Sequence, residues 1–157
     1  MQKIVPFLWF ENRAEEAMRF YTSIFGNSKI TKIDHIPEGP GKGNVVGTFQ
    51  LEGQEFMSID GGPYFKFSPA VSLSVACDSR EEIDRVWNAL SEGGAILMPL
   101  DAYPFSERFG WLADRFGLSW QLNLVPSTQK IATSLLFVGE QHGKAEEAIN
   151  LYTSVFE

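Results

Sequence analysis

The segment Ile4-Val-Pro-Phe-Leu-Trp-Phe-Glu-Asn-Arg-Ala-Glu-Glu-Ala-Met-Arg-Phe-Tyr-Thr-Ser-Ile-Phe-Gly26 changes its hydrophobic period partway along. Up to Phe10 it is a short apolar, aromatic run of strand character. Beyond Asn12 the apolar residues Ala14, Ala17, Met18, Tyr21, Ile24 and Phe25 recur at helical spacing. Asn12 with Glu15 three positions on reads as a helix start, and Gly26 reads as its stop. The opening unit is thus a strand that runs directly into a helix. Three strand-like runs follow it, Ile30 to Ile36, Asn44 to Leu51 and Gln54 to Asp60, the last two joined by the hairpin signal Glu52-Gly53.

The same order then recurs. Val71 to Ala76 is a strand-like run, and Ser79-Arg-Glu-Glu82 is a capping box for a helix carrying Ile83, Val86, Trp87 and Leu90 on one face, closed by Gly93-Gly94. Ala95 to Leu100, Trp111 to Arg115 and Leu118 to Leu124 complete a second strand-helix-three-strand unit. Strands that are consecutive after each helix predict an α+β fold of paired βαβββ half-modules, not a doubly wound parallel sheet. A third, partial copy is more literal: residues 144–156 match residues 13–25 at 8 of 13 positions, and Ser134 to Val138 echoes the first strand. The expected organisation is a complete module over residues 1–125, a linker over 126–130, and the first strand and helix of a second, incomplete module over 131–157. The apolar stripe of that last helix has no sheet of its own to cover. It is therefore expected to dock on a second identical chain and give a homodimer, with folding back on the first module as the competing arrangement.

Composition narrows the function. With 44% hydrophobic residues in 157, the chain carries enough apolar surface for a core. No apolar run reaches the roughly 18 to 20 residues of a membrane span, and Met1-Gln-Lys3 leads into a strand rather than a signal peptide, so a soluble cytoplasmic protein without a membrane partner is expected. Thirteen basic against 20 acidic residues, a net charge of −7, disfavour nucleic acid and favour a neutral or cationic small molecule. The single cysteine, Cys77, reads as a small buried thiol beside a helix start.

Familiar catalytic groupings are missing. His35 and His142 are the only histidines, too few for a histidine metal cluster or a clear Ser-His-Asp triad. Gly39-Pro-Gly-Lys-Gly43 lacks the serine or threonine of a phosphate loop and precedes a strand rather than a helix. Strand parity offers more. Leu118, Trp120 and Leu122 alternate with Ser119, Gln121 and Asn123; Val71, Leu73 and Val75 with Ser72 and Ser74; Met57 and Ile59 with Ser58 and Asp60. If helices cover the apolar sets, the polar sets face the other way and line a pocket. Ser58, Asp60, Ser72, Trp111 and Gln121 are the candidate ligand-binding residues, with Ser58 and Gln121 expected in one shared cavity. The aromatic stretches Tyr64, Phe65, Phe67 and Tyr103, Phe105, Phe109, Trp111 are placed to rim its mouth, with core packing as the alternative for each.

The duplicated unit, the strand Pro-Phe-Leu-Trp-Phe, the helix Ala-Glu-Glu-Ala-Met-Arg-Phe-Tyr-Thr-Ser-Ile-Phe-Gly, Asp-Gly-Gly-Pro-Tyr-Phe-Lys-Phe and Asp-Arg-Phe-Gly-Leu-Ser-Trp-Gln-Leu resemble the PhnB-like branch of the vicinal oxygen chelate superfamily. That superfamily includes glyoxalase I, extradiol dioxygenases and bleomycin-resistance proteins. The resemblance spans residues 1–125 and implies curved mixed sheets around a cavity. Its metal-dependent members place a ligand, usually His or Glu, on each of four strands; here those positions fall on Pro6, Ser58, Ala70 and Gln121. None is a good divalent-metal ligand, so neither a metal nor another cofactor is expected. Some members carry a methyltransferase label, but no glycine-rich turn between a strand and a helix suits an S-adenosylmethionine site. The expected function is binding of a small organic molecule; the alternative is a metal-dependent isomerase, lyase or dioxygenase of the same superfamily.

Overall fold

Two sheets, each backed by a helix, build the protein, and the computed structural model describes residues 4–156. In the first half β1 (Phe7–Phe10) leads into α1 (Ala14–Ile24), then β2 (Lys29–His35), β3 (Val45–Leu51) and β4 (Gln54–Asp60). The second half repeats the order with β5 (Val71–Cys77), α2 (Arg80–Ser91), β6 (Ala95–Tyr103), β7 (Ser106–Ala113) and β8 (Ser119–Leu124). After it come β9 (Ile131–Leu135) and α3 (Ala145–Val155). The first sheet has the order β1-β4-β3-β2, the second β6-β7-β8-β5-β9. In both, the strand before the helix pairs in parallel with the last strand of its unit, β1 with β4 and β5 with β8. The α+β class and the paired βαβββ units are therefore as the sequence implied.

Each helix sits where its sheet makes room. A Cβ on Gly47 of β3 would lie 2.3 Å from the Met18 sulfur of α1, and one on Gly110 of β7 would lie 2.3 Å from the Trp87 ring of α2. Glycine at these two positions lets the helix approach the sheet closely. The start of α2 is as expected, Ser79 Oγ accepting from the Glu82 amide at 3.1 Å. The start of α1 is not. Asn12 adopts a left-handed conformation with φ 57° and gives no cap; instead Asp60 Oδ1, from the end of β4, accepts from the Ala14 amide at 2.7 Å. A carboxylate 46 residues along the chain supplies what the local signal assigned to Asn12.

The two halves share one core. Phe25 stacks on Trp120 of β8 with centroids 5.5 Å apart, and Arg85 Nη1 of α2 donates to the Ile24 carbonyl of α1 at 2.5 Å. Asp114, in the β7–β8 turn, is buried, and its carboxylate accepts from Tyr21 Oη at 2.7 Å and Trp120 Nε1 at 2.8 Å. The Phe116 and Leu118 amides fill its other oxygen at 2.8 and 3.1 Å.

Two strand expectations change. β6 and β7 form one long hairpin through Pro104-Phe105, with register shifts between Ile96 and Tyr103, where the sequence suggested a short strand ending at Leu100 and another starting at Trp111. Pro99 sits inside the bulged stretch, which tolerates a residue that cannot donate. The final strand begins at Ile131 rather than Ser134, and it joins the second sheet of its own chain, antiparallel to β5, with Ile131 buried. α3 buries no residue.

Candidate functional site

The five candidate residues separate into two groups. Ser72, Trp111 and Gln121 share the face of the second sheet opposite α2, since their neighbours Leu73, Trp120 and Leu122 fill the core. Trp111 lies opposite Gln121 in register, Trp111 Nε1 donates to Ser119 Oγ at 2.8 Å, and Ser119 Oγ and Ser72 Oγ are hydrogen-bonded at 2.8 Å. Trp111 thus orients a two-hydroxyl relay that ends at Ser72.

Ser58 and Asp60 do not belong to that face. Ser58 is fully buried with no hydrogen-bond partner for its hydroxyl, opposite Gly47, the position over which Met18 packs. Asp60 is spent capping α1. The expectation that Ser58 and Gln121 point into one cavity is overturned: Ser58 lies beneath α1. The reason is that β4 is apolar on both parities. Phe56 competes with Met57 and Ile59, and Phe56, paired with the buried Phe49, wins the core and carries Ser58 and Asp60 with it.

The cavity that Ser72 does line is a cleft of about 550 Å³ between β1 and the β5–β9 edge, walled by Phe7, Trp9, Phe67, Leu73, Leu118 and Leu135 among others. Lys66 is its one charged lining residue among the described residues. Sequence reasoning missed most of this wall, because a third of its described residues come from the segment between β4 and β5 and from β9. Of the two aromatic stretches, Phe65 packs edge-on against Trp9 at 5.3 Å and Phe67 against Phe10 at 5.3 Å, beside the cleft. Tyr103, Phe105 and Phe109 pack on one another at the β6–β7 tip instead. Trp111 and Gln121 do not line this cleft.

A second cavity, of about 540 Å³, adjoins the first and shares Trp9, Lys66 and Phe67 with it. Arg13, Lys66 and Arg115 face it against a single carboxylate, Glu11. The net charge of −7 is therefore not evenly spread. Cys77 is no nucleophile: burial first, then the nearby Glu82 carboxylate, push its thiol up to about 12.

The positions that the superfamily uses for metal do not fit one here. Pro6 and Ala70 have no donor side chain, Ser58 is sealed under α1, and Gln121 offers only a neutral amide. Among the described residues no three of His, Cys, Asp and Glu converge on a metal-sized site. Nor is any described helix long and apolar enough to cross a membrane.

Paired βαβββ units with a helix on one face of each sheet define a glyoxalase-like, vicinal-oxygen-chelate fold. The comparisons agree. A family model described as 3-demethylubiquinone-9 3-methyltransferase matches residues 2–123. The PhnB protein of Bacillus cereus is 53% identical over 79% of this chain and 100% of its own, with a TM-score of 0.74. The chain belongs to this PhnB-like family. Protein PA1353 of Pseudomonas aeruginosa is 29% identical over 79% of this chain and 98% of its own, at a TM-score of 0.67. A glyoxylase/bleomycin resistance protein/dioxygenase domain from Frankia shares the fold at 20% identity and TM-score 0.58, over 80% of this chain and 99% of its own. Among curated proteins none matches. β9 and α3 lie beyond the family match.

Proposed function

We propose that this protein binds a small, mainly apolar organic molecule in the cleft between β1 and β5, without a chelated metal. The observation that carries the reading is the cleft itself. It holds about 550 Å³ and is lined mostly by aliphatic and aromatic side chains, with the Ser72 hydroxyl as a polar contact fixed from behind by Ser119 and Trp111. A preformed apolar cleft with few, well-placed polar groups is the usual form of a small-molecule site. Gln121 and Trp111 support it from the open face of the sheet rather than by touching the ligand.

The alternative, a metal-dependent isomerase, lyase or dioxygenase, needs anionic or imidazole ligands that the four corresponding positions do not supply. Methyl transfer finds no support either, since the turns before α1 and α2, Glu11-Asn12-Arg13 and Asp78-Ser79, contain no glycine to admit a nucleotide-like cofactor. The test is mass spectrometry of small molecules that co-purify with the protein, together with metal analysis of protein prepared without chelator. An apolar ligand whose retention falls about five- to tenfold in Ser72→Ala, the loss of one hydrogen bond, is the expected result. Stoichiometric metal with an activity that chelation abolishes would overturn the reading.

A further inference from the structure

We propose that the ligand is a monocarboxylate, its aliphatic or aromatic body in the cleft and its anionic head in the adjoining basic pocket. This rests on the cleft reading above and names its ligand class. The two cavities back onto the same residues, Trp9, Lys66 and Phe67, so one molecule that reaches past this wall meets apolar surface on one side and positive charge on the other. Among its described lining residues Arg13, Lys66 and Arg115 against Glu11 leave an excess of two positive charges, with Glu16 and Glu92 paired to the two arginines from outside the lining and Lys66 left as the cation without an ion pair.

The cations are held ready. The Arg13 guanidinium lies 4.4 Å over the Phe116 ring and that of Arg115 lies 4.4 Å over the Phe20 ring, which fixes their planes; the Arg13 edge donates to both Glu16 oxygens at 2.9 and 2.8 Å and its Nη1 to the Arg115 carbonyl at 3.4 Å. Arg115 Nε is buried with no hydrogen-bond partner, an unused donor. Lys66 forms no ion pair among the described residues. Glu16 engages Arg13 through two hydrogen bonds and is 55% exposed, while Glu92, 80% exposed, meets Arg115 only at 3.5 Å, so Arg115 offers the looser pair and a ligand carboxylate at Arg13 takes the place of Glu16. A carboxylate can accept two parallel hydrogen bonds from one guanidinium and a third from Lys66, which a neutral or cationic head cannot do. The general preference for neutral or cationic ligands suggested by the net charge is thus reversed locally.

Octanoate and 1-octanol, which share a tail and differ in the head, separate the two halves of the idea by calorimetry on the full chain. Both are expected to bind, octanoate at least about tenfold more tightly, as a charge-assisted hydrogen bond predicts. Raising the salt to about 0.5 M should shrink that advantage. Arg13→Gln, outside the cleft lining, should reduce it severalfold while octanol affinity stays unchanged, and Lys66→Gln should weaken octanoate more than octanol. Octanoate binding no tighter than octanol, or an advantage that both variants retain, overturns the carboxylate proposal and leaves the cleft reading standing. Binding of neither compound overturns both.

Discussion

The carboxylate of Asp114 receives four hydrogen bonds, from the Tyr21 hydroxyl, the Trp120 indole and the Phe116 and Leu118 amides, and so ties α1 to the β7–β8 turn. Asp114→Ala would leave three buried donors and the part-buried Phe116 amide unpaired and is expected to cost on the order of 3 kcal/mol or more, read as a lowered denaturant midpoint. Burial, the dominant influence, raises the Asp114 carboxyl above its ordinary value, while its hydrogen bonds pull the other way. The folded state therefore binds that proton to higher pH than the unfolded chain does. Its contribution to stability declines as pH rises from the ordinary aspartate range through the raised value. Titration with urea at about pH 7 and pH 4 should show the native chain gaining on Asp114→Asn in acid; no relative change would contradict this. Ser58 makes the opposite case. Its buried hydroxyl has no partner, and an unsatisfied buried polar group costs roughly 1 to 3 kcal/mol, so Ser58→Ala should raise the melting temperature and leave ligand retention unchanged. A fall in retention would return Ser58 to the site.

At the scale of elements, the last 26 described residues behave as two different things. β9 pairs with β5 through five registered residue pairs and buries Ile131, so it is a structural strand of the second sheet and a wall of the cleft. α3 repeats α1 residue for residue along its stripe: Ala145, Ala148, Ile149, Tyr152 and Val155 stand where α1 buries Ala14, Ala17, Met18, Tyr21 and Ile24. Ile149, Leu151, Tyr152 and Val155 are instead 46 to 62% exposed. Removing β9 should therefore take the buried Ile131 out of the core and a wall from the cleft. Ending the chain at Gly139 removes a helix that buries no residue in its own chain, and at a protein concentration low enough to keep both forms monomeric its melting temperature is expected to stay within about 2 °C of the full chain. A large drop would mean that α3 packs against the body after all.

For the whole molecule, the same exposed stripe argues for assembly. Burial of a side chain such as Ile149 is worth about 1.5 to 3 kcal/mol, and a second copy presents an identical stripe related by a two-fold axis. Sedimentation is expected to show the full chain as a dimer and the chain ending at Gly139 as a monomer. If both run as one species, α3 does not drive assembly. The cleft and the basic pocket are formed within one chain, so ligand binding in the shortened protein should persist whichever way assembly turns out.

The linear order of residues was enough for the α+β class, for both helices with their buried faces, and for the duplication, because these depend on local period and caps: Ile83, Val86, Trp87 and Leu90 lie buried as their spacing implied. It also sufficed for Ser72 and Gln121 sharing one face, since on β5 and β8 a single parity is apolar, whereas Trp111 joins them only through the β7–β8 register. Packing alone decided the rest. Phe56 against Met57 and Ile59 leaves the face of β4 open until Phe49 selects it, and Ser58 and Asp60 follow. The cap on α1, the bond from Tyr21 to Asp114 and the walls of both cavities join residues tens of positions apart, and no pattern along the chain records which distant groups will be brought to within 3 Å of one another.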